Sequence, residues 1–191
     1  MLIERVLYPV STLGPGERIV IWTSGCSKKC PNCVSPEMWQ AKTDKDMTIS
    51  QLIGFIRRIV RNNQVDGITV SGGDPLEQSD ELLEFISEIS GDCHDILIYT
   101  GYTLAELREL WTPEKMGKLM KHTAVLIDGR YEDGLNDGLS PLIGSTNQEI
   151  HYLNEGVKPK YLEYMRLNGR QVQNVYYENK LISVGIHNKE H

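Results

Sequence analysis

Gly67-Ile-Thr-Val-Ser-Gly-Gly-Asp-Pro-Leu-Glu-Gln-Ser-Asp-Glu-Leu-Leu-Glu-Phe-Ile-Ser-Glu-Ile-Ser-Gly-Asp-Cys-His-Asp-Ile-Leu-Ile-Tyr-Thr100 reads as a strand, a tight turn, a helix and a second strand in succession. Gly67-Ile-Thr-Val70 is β-rich and runs straight into Ser71-Gly-Gly-Asp-Pro75, a turn sequence. Leu82, Leu83, Ile86 and Ile89 recur at helical spacing from a start near Ser79 to a stop at Gly91. Asp95-Ile-Leu-Ile-Tyr-Thr100 is short and apolar, and Gly101 closes it. Strand, helix and strand in this order predict a βαβ unit with parallel strands.

The same alternation extends both ways. Upstream, Ile19-Val-Ile-Trp22 is a buried-strand run, and Thr48-Ile-Ser-Gln51 has the pattern of a capping box. Behind that cap, Leu52, Ile53, Ile56, Ile59 and Val60 make one apolar helix face. Downstream, Thr103-Leu-Ala-Glu106 repeats the capping pattern and sets Leu104, Leu107 and Leu110 along one face. Thr112-Pro113 starts a further helix with proline at its favoured first position. Ala124-Val-Leu-Ile-Asp128 and Gln148-Glu-Ile-His-Tyr-Leu153 are a fourth and a fifth strand. The fold class is therefore α/β with a parallel sheet, whose ligand site belongs at the carboxyl ends of the strands. Beyond Gly156, Arg170-Gln-Val-Gln-Asn-Val-Tyr-Tyr177 and Lys180-Leu-Ile-Ser-Val-Gly-Ile186 read as a hairpin joined at Glu178-Asn179. Residues 1–155 are read as a core domain and 156–191 as a C-terminal extension packed on it.

A chain of 191 residues fits one domain with a substantial core, and 40% hydrophobic and 24% charged residues are ordinary for a globular protein. The net charge of −6 argues against a nucleic-acid grip. No run approaches the roughly 18 apolar residues of a membrane span, and Met1-Leu-Ile-Glu-Arg-Val lacks the pattern of an export signal. A cytoplasmic protein is expected, in which thiols stay reduced.

Against that background Cys26, Cys30 and Cys33 crowd into Trp22-Thr-Ser-Gly-Cys-Ser-Lys-Lys-Cys-Pro-Asn-Cys33. They lie too close together to staple a fold and are one ligand short of a closed metal site. Three thiolates suit a 4Fe–4S cubane with one iron left open. A partial zinc site or a redox dithiol is the competing reading, although no fourth Cys or His stands at zinc-finger spacing. Lys28 and Lys29 are read as solvated loop lysines, and Cys93 as a lone core thiol.

Gly72 and Gly73, after a buried strand, let the backbone approach the amino and carboxylate ends of an amino-acid moiety, with Asp74 meeting the ammonium or orienting the loop. A branched side chain at Gly73 is then expected to fill the ligand's space while sparing the cysteines. Thr100, Tyr102 and Asp128 either touch an adenosine or cap helices and turns. Ser145-Thr-Asn-Gln148 is a polar loop. The five histidines show no ligand spacing, and His187 and His191 are expected in solvent.

These blocks in this order resemble the anaerobic ribonucleoside-triphosphate reductase activating proteins, small radical S-adenosylmethionine (SAM) enzymes. The resemblance rests on Gly14-Pro-Gly16 with Arg18, the cysteine loop through Pro36-Glu-Met-Trp39, Ser71-Gly-Gly-Asp-Pro-Leu76, Tyr99-Thr-Gly-Tyr-Thr103, Val125-Leu-Ile-Asp-Gly-Arg130 and Gly144-Ser-Thr-Asn-Gln148. It spans about residues 10 to 153. The cysteine spacing marks only the superfamily, and the later blocks narrow it. The resemblance implies a shortened, open (β/α) partial barrel, a 4Fe–4S cluster on Cys26, Cys30 and Cys33, and SAM on the open iron. It also implies Asn32, Cys33 and Val34 beside SAM, and Gly72, Gly73 and Asp74 at its methionine end. The implied partners are the reductase large subunit, which receives a glycyl radical, and a flavodoxin-type electron donor. Many radical SAM proteins have an aromatic residue before the third cysteine, where this chain has Asn32, and the tail past about residue 155 exceeds the compact members. SAM chemistry on another protein, peptide or small molecule stays open, as does a non-catalytic zinc-binding interaction module.

Overall fold

The computed structural model describes residues 1–167 and 169–187; His191 lies outside the described residues. Its strands are β1 Ile3–Val10, β2 Arg18–Thr23, β3 Gly67–Gly72, β4 Ile96–Tyr99, β5 Val125–Asp128, β6 Glu149–Tyr152, β7 Val172–Tyr177 and β8 Lys180–Gly185. Its helices are α1 Ile49–Asn62, α2 Ser79–Ile89, α3 Leu104–Leu110, α4 Pro113–His122 and α5 Lys158–Leu167.

The first six strands form one sheet in sequence order. β2 to β5 are parallel, as the βαβ pattern requires. The expectation of a wholly parallel sheet needs correcting at both edges, because β1 runs antiparallel to β2 and β6 antiparallel to β5. A strand order that advances one step per crossover, always right-handed, puts the connecting helices on a single face. α1, α2 and α4 lie side by side there. They bury Leu52, Ile56, Leu82, Ile86 and Leu119 against Ile19, Ile21, Ile68, Val70, Ile96 and Ile98 of the sheet. Each such aliphatic side chain contributes roughly 1.5–3 kcal/mol by leaving water.

Both capping boxes form, Thr48 with Gln51 and Thr103 with Glu106, and Thr112 caps α4 with proline in its first turn. Leu107 is buried, but Leu110 is 66% exposed, because α3 is too short to carry its stripe a second turn onto the core. Cys93 is a buried core thiol.

The other sheet face is covered by the chain after β5. Tyr161 of α5 and Leu142 pack on Leu97, Val125 and Ile127. Val184, Ile182 and Ile186 pack on Val10, Leu13, Val20 and Trp22. The expected hairpin is β7–β8; Glu178 and Asn179 at its turn have φ of 47° and 62°, the left-handed pair that suits the twist of a two-residue hairpin loop. Among the described residues no helix is long and apolar enough to cross a membrane.

Candidate active site

A cleft of about 630 Å³ opens at the carboxyl ends of β2 to β5. This volume falls in the range of ligand pockets. Cys26, Cys30 and Cys33 line it, with Asn32 and Val34 on the same loop. Gly72, Gly73, Asp74 and Thr100 line it from the ends of β3 and β4. The sequence-predicted residues, scattered over 75 positions, thus meet in one cavity.

The cysteine loop leaves fully buried β2 and is held by backbone bonds on two sides. Gly25 N–H donates to Met38 O at 2.8 Å and Cys26 N–H to Trp39 O at 3.0 Å. From β3, Gly73 N–H donates to Thr23 O and Asp74 N–H to Gly25 O, both at 2.8 Å. This packing changes the meaning of the glycines. A Cβ at Gly72 would stand 2.3 Å from Thr23 backbone atoms, and one at Gly73 would stand 2.3 Å from Gly25 O. The space that these glycines leave open is filled by the cysteine loop and its strand, so a side chain at Gly73 strikes the cysteine loop first. Asn32, where an aromatic is common, has φ 55°, a left-handed conformation that asparagine tolerates better than bulky residues.

Asp74 is 1% exposed and its carboxylate is already engaged. It accepts from Leu76 N–H at 3.0 Å, Gly101 N–H at 2.9 Å and Thr100 Oγ1 at 2.9 Å. Burial pushes its carboxyl above the usual range, while the Gly101 and Leu76 amides, the Thr100 hydroxyl and Lys28 pull the other way. Asp74 therefore orients the β3 and β4 ends, and Thr100 holds Asp74. Asp128 accepts from Leu104 N–H at the start of α3, so here the capping alternative is the one realised. Tyr102 lies under the Lys28 ammonium, 3.0 Å from the ring centroid.

Lys28 is the main departure from the sequence reading. Its side chain is 6% exposed and 3.7 Å from Glu77, whereas Lys29 is exposed as expected. A lysine between two cysteines looks solvated in sequence because its partners, Glu77 and Tyr102, lie about 50 and 75 residues away. His187 lines the cleft, so its expected place in solvent is corrected too. In the polar loop, Gln148 accepts from Gly144 N–H at 2.8 Å and donates to Gly129 O at 3.0 Å, which closes the excursion between β5 and β6.

The donor set suits thiolate ligation to a cluster. Burial raises the Cys26 thiol, with the Lys28 and Lys29 amides pulling it down and Asp74 and Cys30 opposing them. Burial likewise raises Cys30, countered by the Tyr131 amide. Ser35 N–H lies 3.5 Å from Cys33 Sγ. Amide donors around sulfur spread the negative charge of a bound thiolate. Among the described residues, the trio with ligand atoms within 4.8 Å of one another is Asp128, Glu149 and His151, not the cysteines. Sulfurs on separate corners of a cubane stand farther apart than ligands sharing one ion. The Asp128 trio brings a histidine to carboxylates, contrary to the sequence expectation. The β5–β6 ladder creates it by setting Asp128 opposite Glu149.

Comparison with known proteins agrees with this geometry. Residues 12–151 match the family model described as a 4Fe-4S single cluster domain. The chain is 33% identical over 156 residues to the anaerobic ribonucleoside-triphosphate reductase-activating protein of Escherichia coli (strain K12), covering 76% of this chain and 96% of that one. It is 28% identical over 156 residues to the protein of that name from Enterobacteria phage T4, covering 79% and 94%. For the Haemophilus influenzae protein of that name the identity is 32% over 154 residues, covering 75% and 94%. The chain belongs to the 4Fe-4S single cluster domain family and to the anaerobic ribonucleoside-triphosphate reductase-activating proteins.

Proposed function

We propose that the chain is a radical SAM oxidoreductase of the glycyl-radical activating type, acting on an anaerobic ribonucleotide reductase. The observation that carries this reading is the convergence of three cysteines and the Ser71-Gly-Gly-Asp74 turn on one ligand-sized cavity, in a chain of this family. On this reading residues 1–155 are the catalytic core, an open (β/α) partial barrel of the radical SAM type, and 156–191 are an extension.

Cys26, Cys30 and Cys33 would hold a 4Fe–4S cluster. Asn32 and Val34 flank SAM beside it, and Gly72 and Gly73 border its methionine end. Asp74 and Thr100 act from behind, orienting that turn through the bonds described above. When bound, the cluster and SAM would supply reductive radical chemistry directed at a glycine Cα of the partner. The chain's own residues hold and orient these groups and exclude water. Lys28, paired with Glu77, sets its ammonium group beside the loop, and amides face the sulfurs. The electron comes from a flavodoxin-type donor, the setting is cytoplasmic, and neither nucleic acid nor a membrane takes part.

Anaerobic reconstitution with iron and sulfide, followed by dithionite and SAM, tests this. The expected result is a brown protein that makes 5′-deoxyadenosine and leaves a glycyl doublet in electron paramagnetic resonance when the reductase large subunit is added. A colourless, zinc-replete protein would remove the enzyme reading.

A further inference from the structure

The segment after β6 lies beyond the family-model match, which ends at residue 151, yet part of it belongs to the cleft. Ile186 and His187, just past β8, line the same cavity as the cysteines. What holds them there is Arg170. Its Nε donates to Ser140 O at 3.0 Å, and Nη2 to Ile143 O at 3.0 Å and Gly144 O at 3.1 Å. Its Nη1 donates to Asn136 Oδ1 at 2.7 Å and His187 O at 2.8 Å. All five guanidinium N–H donors are therefore spent. They tie the end of the hairpin to the loop that brings Asn136 and Gly144 to the cavity. Thr12 Oγ1 donates to Val184 O at 2.9 Å, and Ile182, Val184 and Ile186 pack on the core, so the hairpin is anchored on its other side as well.

From this we infer that the C-terminal segment is a fixed, specificity-determining wall of the cleft, with Ile186 and His187 facing the substrate and Arg170 as their positioning residue. On that reading the substrate the wall faces is the reductase polypeptide that the proposed function already names, and the wall bears on how it is seated. Apolar Val34, 63% exposed, lines the same cavity from the cysteine loop. This inference rests on the proposed radical SAM activity and deepens it.

The test uses full-length reconstituted protein with SAM, dithionite and a purified anaerobic reductase large subunit. The readout is the ratio of glycyl radical formed to 5′-deoxyadenosine released. Arg170→Ala and Ile186→Ala are expected to lower that ratio about fivefold or more, because a mis-seated strand leaves radical events uncoupled, and Ile186→Leu is expected to restore it. Circular dichroism melting shows whether each variant folds, since Ile186 also packs on the core; Ile186→Ala probes the same wall without touching the clamp. Wild-type protein that makes no 5′-deoxyadenosine overturns the enzyme reading and this inference with it. Wild-type protein that makes 5′-deoxyadenosine but no glycyl radical overturns the reductase as occupant. A ratio unchanged in Ile186→Ala, with both products present, overturns the wall alone.

Discussion

At the scale of single residues, the site is decided by three thiols and by what lies against them. Each cysteine is half-buried on the cavity wall. Among the described residues the remaining thiol, Cys93, is sealed in the core on the helix side of the sheet. Cys30→Ala is therefore expected to lose both bound iron–sulfide and 5′-deoxyadenosine formation; a variant that still cleaves SAM would show the ligand set to be wrong. Gly73→Ala makes a sharper distinction. A Cβ there meets Gly25 O at 2.3 Å and Met38 O at 2.8 Å, both backbone, so the cysteine loop must shift. Overpacking of this kind costs about 1–3 kcal/mol. The expected outcome is a lower melting temperature together with reduced iron uptake. If Gly73→Ala took up iron normally and lost only SAM affinity, the space at Gly73 would belong to the ligand after all.

At the scale of elements, local signals held where they were local in origin. The caps of α1, α3 and α4 are short-range devices written in three or four residues, and each is formed. Thr103→Ala removes one acceptor from the N-terminus of α3 and should cost about 1 kcal/mol, which lowers the melting temperature by roughly 2–4 °C in a chain of this size. A loss far below that would mean that Asp128, bonded to Leu104 N–H, carries the cap alone. The central strands were legible for the same reason, since buried parallel strands read as unbroken apolar runs. Two elements were not. β1 has register shifts on both sides of its middle, so Ile3-Glu-Arg-Val-Leu-Tyr-Pro-Val10 never alternates cleanly. α5 has little amphipathic pattern, and Tyr161, the fully buried residue among those of α5 whose side chains are described, is recruited by a carboxylate 66 positions away. The site divides along the same line. The cysteines and the glycine turn are contiguous motifs, whereas Lys28, Arg170 and His187 gain their roles from partners that no local window contains.

At the scale of the whole molecule, one buried charge cluster joins what the sheet alone does not. Arg18, at the start of β2 and 0% exposed, donates to Thr69 Oγ1 and Ile68 O of β3 and to the carboxylate of Asp95 just before β4. Gly67 leaves room for it, since a Cβ there would stand 2.2 Å from the guanidinium. Tyr161 of α5 donates to Asp95 Oδ1 at 2.7 Å, so the C-terminal segment is fastened to the same point. This knot sits at the amino ends of the strands, across the sheet from the cleft, and its work is structural. Burial pushes the Asp95 carboxyl up, but Arg18, Lys160 and Tyr161 more than offset this and hold it below the usual carboxylate range. Asp95→Asn would strand a buried guanidinium, which costs about 3–5 kcal/mol. Urea unfolding at neutral pH should show a loss of that order. The sign of the pH dependence follows from the lowered value. The Asp95 contribution is fully present above its unfolded pKa of about 3.9, and it is lost as pH falls through the lower folded value. The stability gap between wild type and Asp95→Asn should therefore be constant from about pH 7 to 5 and shrink below about pH 4. A gap that stays constant into that acid range would mean that the aspartate acts through packing or hydrogen bonding, with its charge contributing nothing to the union of β2, β4 and α5.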